Sequence, residues 1–425
     1  MPRCRIASCI LALALAACAP CAADAVRSTV DPESGLAVHR VTGGPGVKTT
    51  AYPTGHTWHR DGRRIFIESN ANRAGSVLGE ILLVDTQTGE AKTLVTRTEP
   101  DPPFANPSDP RRAPFFTFDY APKANVLFYF DVRCHSFYLL DPETGRGTCI
   151  IRDDPATFGA PPSISPDGKR AAYFASVDCA ANKYFGGRVC SVFALDIDPV
   201  AMRAVGEPRV VTAYPSRIVE SAIRSMPNGI IVNHAQVNPV YPNHFIYSHE
   251  FPNELSGRSL ELTRMWENRD GLDRPICRPK PGEWQTHELI GPLGKKLYFV
   301  GNWNVCVIDL ATRRKRVVYS GAPLKAIHIS VSPDEKWIAA DTWDWTAVDS
   351  DGACPGAIFI IETATGRSKL LCRIRAGSHH PRHPHPSFSP DGRKIAFTVA
   401  DGKHSQVAYV DVSEVVRQWR ATPAP

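Results

Sequence analysis

One turn recurs along this chain, and the run of residues after it recurs as well. Ser165-Pro166-Asp167-Gly168, Ser332-Pro333-Asp334 and Ser389-Pro390-Asp391-Gly392 each precede a short run rich in β-branched and aromatic residues, and Asp61-Gly62 does the same earlier. A second run then ends at an acidic residue and a Thr-Gly-type turn, as in Ile81-Leu82-Leu83-Val84-Asp85-Thr86-Gln87-Thr88-Gly89 and Phe359-Ile360-Ile361-Glu362-Thr363-Ala364-Thr365-Gly366. Further copies start near Val126, His244 and Lys296, which makes seven units. Such a unit cannot bury both of its faces alone, and radial stacking solves that. The spacing therefore predicts an all-β fold, a seven-bladed β-propeller filling residues 24–421 as a single domain, with 422–425 as a disordered tail. The last unit lacks an outer strand. Asp31-Pro32-Glu33-Ser34-Gly35 imitates the acidic turn, and Leu36 to Val41 reads as the strand after it. This N-terminal strand is expected to complete the last blade and close the ring, leaving no open edge.

Thirty-seven prolines and thirty glycines in 425 residues favour turns over long helices. A net charge of +6 suits an anionic ligand but falls short of a nucleic-acid footprint. Residues 1–23 read as a signal segment: Arg3 and Arg5 precede an apolar run, Ile10 to Ala17, too short to span a bilayer. Leu15-Ala16-Ala17-Cys18 has the form of a lipobox that would place a lipid on Cys18; cleavage after Ala22 or Ala23 is the alternative. Either way the chain is expected to be exported, to the periplasm or as an outer-membrane lipoprotein, with membrane contact only through that anchor. Eight cysteines outside the signal region fall into sequence-near pairs. In an oxidising compartment they suggest disulfides joining Cys134 with Cys149, Cys179 with Cys190, Cys277 with Cys306 and Cys354 with Cys372.

Chemistry concentrates in His379-His380-Pro381-Arg382-His383-Pro384-His385-Pro386. The prolines keep the backbone extended, so His383 and His385 face one side, and His380 reaches the same spot if the chain bends. Neutral imidazole is the commonest nitrogen ligand for divalent metals. A solvated proline-rich loop is the plainer reading, and the density of imidazoles tips the balance toward a metal site. Further clusters precede or follow the first strands of other units: Asn233-His234, Ser248-His249-Glu250 and Thr286-His287-Glu288. In a propeller these entry segments open onto the central channel, so His234, His287 and His383 can converge. For His56, His59, His135, His244 and His404 a structural capping role is expected, and His328 is left open.

Imidazoles plus a cation suit an acidic sugar. Breaking a uronide chain by β-elimination requires neutralising the C6 carboxylate and removing the C5 proton, the latter a task for which histidine is matched near neutral pH. The segments Asn233-His234, Ser248-His249-Glu250, Thr286-His287-Glu288 and His383-Pro384-His385-Pro386-Ser387-Phe388 before Pro390-Asp391-Gly392 resemble those of the oligogalacturonate lyases, polysaccharide lyases on seven-bladed propellers. The resemblance covers nearly the whole chain after the signal. It implies a manganese ion held by three histidines and a glutamine, hence His287, His383 and His385 as ligands. His380 stands where the family has glutamine, which makes the set richer in nitrogen and zinc an alternative. It further implies His234 as the base, His249 as its support, and a carboxylate-binding arginine on the third blade, for which Arg188 and Arg217 are the nearby candidates. Trp284, or the pair Trp343 and Trp345, could stack on sugar rings. The export signal departs from the familiar members, so ulvan-like, glucuronan-like or rhamnogalacturonan-like chains stay open as substrates beside oligogalacturonate. Two rivals remain: a non-catalytic periplasmic propeller resembling the TolB repeat, and a metal-dependent hydrolase on the same fold.

Overall fold

The computed structural model describes residues 26–73, 76–100, 116–132, 134–152, 162–178, 188–214, 231–251, 256–258 and 262–421. The signal segment with Cys18 and the tail from 422 lie outside them. No helix among the described residues is long and apolar enough to cross a membrane. Strands dominate, with a short helix, Ser413–Ala421, following the last one.

Each repeated turn is held by its own side chains. The Ser165 hydroxyl donates to Asp167 at 2.7 Å and accepts from the Arg170 amide at 3.0 Å. Ser332 makes the same pair of bonds with Asp334 and the Trp337 amide, and Ser389 with Asp391 and the Lys394 amide. Serine, proline, aspartate and glycine are thus chosen for local bonding and for turn dihedrals, which launch the next strand.

The strands form an all-β propeller. Among the described residues, five separate four-stranded antiparallel sheets begin at Phe116, Ser163, Ile231, Gln285 and Ile329. A sixth sheet has nine strands. It contains Val47–Thr49, Arg64–Arg73, Ser76–Asp85 and Ala91–Pro100, together with Ser387–Phe388, Lys394–Asp401, His404–Asp411, Ala37–Arg40 and Arg27–Val30. The expected seven separate sheets are corrected on this point, because the first and last repeats share one sheet. A parallel contact, Ser405 opposite Val47, joins them. The crossing segment is fixed by buried polar groups: Gln406 Nε2 donates to the Gly44 carbonyl at 2.7 Å, Thr42 bonds Gln406 at 2.8 Å, and the Ser405 hydroxyl donates to the Lys48 carbonyl at 3.0 Å.

The N-terminal strand pairs where the sequence places it, with Val38 opposite Val410 and Arg40 opposite Ala408. Its turn is tied down by Asp31, whose carboxylate accepts from the Ser34 amide at 2.8 Å and from the Arg373 amide at 2.8 Å. The core lies between neighbouring groups of strands around the ring. Phe66 packs with Phe118, Phe137 with Tyr173, Val192 with Phe245, Ile246 with Phe299, Tyr298 with Phe359, Ile358 with Phe397, and Ile65 with Val407.

The disulfide expectation is overturned for three of four pairs. Cys134, Cys149, Cys277, Cys306, Cys354 and Cys372 are not joined in disulfides. Cys354 lies opposite Ala376, whereas Cys372 lies opposite Ile358. The two are four residues out of register, about 13 Å along the strands, well beyond disulfide reach. Cys134 contacts the Tyr138 hydroxyl at 3.6 Å, and Cys149 donates to the Ile151 carbonyl. Cys306 is buried in the core that Cys277 only flanks. The fourth pair involves Cys179, outside the described residues.

If Ala37–Arg40 holds the last sheet closed, Val38→Asp should lower stability by about 1–2 kcal/mol, the scale of exposing part of a packed valine, read as an earlier denaturant midpoint. An unchanged midpoint would show that the strand contributes nothing to closure.

Candidate metal centre and proton-transfer site

Two innermost strands are interrupted at a histidine. The pairing register slips between Asn233 and Gln236 and between Thr286 and Leu289. His234 and His287 occupy the slips with φ of 50° and 52°, and His385, just before the strand Ser387–Phe388, has φ of 45°. A bulge re-aims a side chain, and a left-handed non-glycine residue is a local cost found mainly where function needs it.

A ring nitrogen from each of His328, His380, His383 and His385 lies within 4.8 Å of the others. His328 Nε2, His385 Nε2 and both nitrogens of His383 are buried with no protein hydrogen-bond partner. Orphaned buried polar atoms are expensive, and four convergent imidazoles fit a divalent ion as the missing partner. Burial pushes His383 and His385 well below the usual imidazole range and His380 down to about 4. All are therefore neutral at pH 7, the form that binds metal.

His328 is held by Asp341, a fully buried carboxylate. Asp341 accepts from His328 Nδ1 at 2.9 Å and from the His328 amide at 2.7 Å, and also from the His385 amide at 3.2 Å. The carboxylate fixes the tautomer and aims Nε2 at the cluster, as supporting groups of metal-binding histidines do. Trp343 stacks on His328 and lies 4.8 Å from His383, while half-exposed Trp345 packs on Trp343.

The compact group has His328 where the family resemblance implies His287. His287 lies beside it, ring centroid 4.2 Å from that of His328, with Nδ1 donating to the Ile327 carbonyl at 2.6 Å. Burial pushes His287 down to about 3, so it too is neutral. No local motif marks His328. Its position at the entry to a first strand, in phase with His234 and His287 in neighbouring repeats, is the signal that could have found it.

His234 anchors a second array. Its Nδ1 donates to Glu288 at 2.7 Å, and its Nε2 accepts from the Tyr52 hydroxyl at 2.9 Å. Burial alone would raise the Glu288 carboxyl, but the Arg264 guanidinium and His234 hold it well below its ordinary value. Arg264 donates through Nε to Glu288 at 2.9 Å and through Nη2 to Glu250 at 3.3 Å. The Tyr52 ring centroid is 5.3 Å from His234 and 5.2 Å from His385, so Tyr52 bridges the two arrays. Tyr52, Arg264 and Asp341 escape sequence reasoning because each meets its partners on another strand or in another repeat.

The remaining expected site residues fall elsewhere. His249 sits on the second strand of its sheet, stacked on Trp266 at 4.9 Å and near Tyr247, so the support of His234 comes from Glu288 and Arg264 instead. Arg188 opens the strand Arg188–Asp198, opposite Asp178, but its side chain lies outside the described residues, as does Arg217 altogether. Trp284 packs against Trp303, with centroids 4.6 Å apart. His56, His59 and His244 bond Asp119, Asn125 and Glu267, and His404 accepts from the Gly46 amide, as structural caps would.

Metal-stripped protein is expected to bind a divalent ion measurably in a chelator-competition titration, with His328→Ala and His383→Ala each weakening it at least tenfold. Asp341→Asn should weaken it by about 10–100-fold. Wild-type affinity in His328→Ala would place that residue outside the coordination shell.

No family model matches the chain. The curated oligogalacturonate lyase of Dickeya dadantii is 28% identical over 192 residues, 40% of this chain and 48% of its own. An oligogalacturonide lyase of Pectobacterium atrosepticum is 27% identical over the same shares. The chain thus spans about half the length of the curated relatives it matches. Among solved structures, an oligogalacturonate lyase from Vibrio parahaemolyticus superposes with a TM-score of 0.69 at 18% identity, covering 92% of this chain and 97% of that one. An oligogalacturonate lyase in complex with manganese gives the same TM-score and coverage at 19% identity. By sequence over that stretch, and by fold over nearly all of its length, the family this chain resembles is that of the oligogalacturonate lyases.

Proposed function

We propose that this chain is a metal-dependent lyase that cleaves uronic-acid-containing oligosaccharides or polysaccharides, oligogalacturonate-like, by β-elimination to 4,5-unsaturated uronides. One observation carries the reading: four convergent imidazoles and a charge-supported His234 array meet across a single tyrosine ring. A binding scaffold of the TolB kind has no need for buried, orphaned nitrogens beside a Glu–His pair. The curated relatives are named for this activity, which supports the reading.

When bound, a divalent ion would neutralise the C6 carboxylate and so acidify C5–H. Manganese is favoured because a structural relative was solved with it, and zinc stays an alternative because all four donors are imidazoles. His328, His380, His383 and His385 would hold the ion, with His287 beside His328. Trp343 and Trp345 form a wall on which a sugar ring can stack. Arg264, already shared by Glu288 and Glu250, sets the charge around His234 and leaves substrate-carboxylate binding to the ion and to an arginine such as Arg188 or Arg217. The Glu288–His234–Tyr52 array receives the C5 proton.

We read the nine-stranded sheet as the first and last blades joined at one bridge, which makes seven blades closed by Ala37–Arg40. Residues 1–23 support export, with or without a lipid on Cys18, so the substrate would be met outside the cytoplasm.

Purified protein incubated with uronic-acid oligosaccharides should develop the ultraviolet absorbance of an unsaturated uronide, and chelation should abolish it. His234→Ala should reduce turnover at least a hundredfold, within the range for removing a general base, while bound metal stays. Loss of metal with His234 would contradict this division of roles.

A further inference from the structure

We infer that Lys325, held over the ring of Trp303, binds the carboxylate of a sugar beyond the one being cleaved. This rests on the lyase reading above and narrows its substrate to a chain that carries a second uronate.

The residues concerned lie on the rim of the same mouth as the candidate metal centre. Gln285 lies opposite Gly301, so the turn Asn302-Trp303 stands at the end where the inner strand of its repeat begins, beside His287. In the next repeat Ile329 lies opposite Ala340, and the strand Trp337–Trp343 runs to the corresponding end, beside His328. Trp303 packs against the cluster that contains Ile327 and Trp343. Half-exposed Trp345 lies on Trp343, with ring centroids 4.7 Å apart, and 6.3 Å from His383. An aromatic surface therefore runs along the rim from Trp303 to a metal-ligand candidate. The turn that carries Trp345 is fixed, because Asp344 accepts from the Thr346 amide at 2.9 Å and from its hydroxyl at 2.6 Å.

Trp303 holds its place at a local cost. Asn302 and Trp303 have φ of 48° and 68° in a two-residue turn. Such a turn favours glycine at its second position, and a bulky side chain in the left-handed region is strained. The loop that follows is pinned to it. The Ala326 amide donates to the Trp303 carbonyl at 3.2 Å, and a Cβ at Gly321 would come within 2.7 Å of that carbonyl oxygen. The Tyr319 hydroxyl donates to the Leu324 carbonyl at 2.9 Å and accepts from the Leu324 amide at 3.1 Å. The next residue, exposed Lys325, sets its ammonium 5.5 Å from the centre of the Trp303 ring. The ring face attracts the cation and limits where it can swing. Among the described residues no carboxylate pairs with Lys325, and Glu283, beside Trp284, is taken by Lys315. Lys325 precedes His328 by three residues, so their α-carbons are at most about 11 Å apart. An uncompensated cation, anchored this close to the metal centre and reached over an aromatic rim, suits a neighbouring acid group of an anionic sugar chain. The ion would take the carboxylate of the cleaved sugar, and Lys325 that of another along the chain.

The test measures kcat and KM of wild type, Lys325→Ala, Lys325→Glu and Lys325→Arg on a disaccharide and a tetrasaccharide of a uronide that wild type cleaves. Wild type is expected to prefer the longer chain. The ratio of kcat/KM, long over short, should fall about fivefold in Lys325→Ala, the scale of one exposed ion pair. It should fall further in Lys325→Glu and be kept in Lys325→Arg, with the losses in KM on the longer chain. A wild type without preference for length, a Lys325→Glu ratio equal to that of wild type, or a loss carried by kcat alike on both lengths would overturn the inference and leave the lyase reading in place. Failure of wild type on every uronide tested would instead overturn the lyase reading, and this inference with it.

Discussion

The buried carboxylate of Asp341 is the contact on which the candidate site depends. One side chain accepts from both the ring and the amide of His328, and from the amide of His385. It therefore ties the sixth repeat to the histidine-rich loop of the seventh and orients one imidazole at the same time. A carboxylate removed from water in this way is costly unless several donors meet it. Three do, although burial still pushes the Asp341 carboxyl well above its ordinary range, and the arrangement leaves Nε2 of His328 aimed inward without a protein partner.

The second array follows the same logic with opposite emphasis. Glu288 is fully buried and receives both Arg264 and His234, so its charge is compensated within the protein and the pair needs no metal. Both arrays are aimed by departures from regular strand geometry. Left-handed His234 and His287 stand where ladder pairing is broken, and left-handed His385 stands just before the strand Ser387–Phe388. The seams of large apolar residues between neighbouring sheets supply the rigidity against which such local strain can be held.

Much of the fold was legible because the repeat is written in residues that bond locally. The Ser-Pro-Asp-Gly turns and the Asp31 turn make the hydrogen bonds their composition implies, so strand starts follow from sequence. The contact at Ser405 and Val47 that merges two repeats does not, since one parallel pairing across the closure leaves no periodic trace. The cysteine pairs failed for a related reason: closeness in sequence ignores register, and Cys354 and Cys372 are on neighbouring strands but out of step. Within the site, His380, His383 and His385 were legible through density, and His234 and His287 through their motifs. Asp341, Tyr52 and Arg264 were not, because each acquires its role from a residue in another strand or repeat. His249 misled for the converse reason: it lies beside Glu250 in sequence, but its side chain turns to Trp266.

Anomalous diffraction from crystals soaked with manganese or zinc, recorded at the absorption edge of the ion, would locate the metal. A single strong channel peak coordinated by His328, His380, His383 and His385, with Asp341 behind His328, is expected. A peak held by His287 with His328 left out, or no peak in the channel, would contradict it.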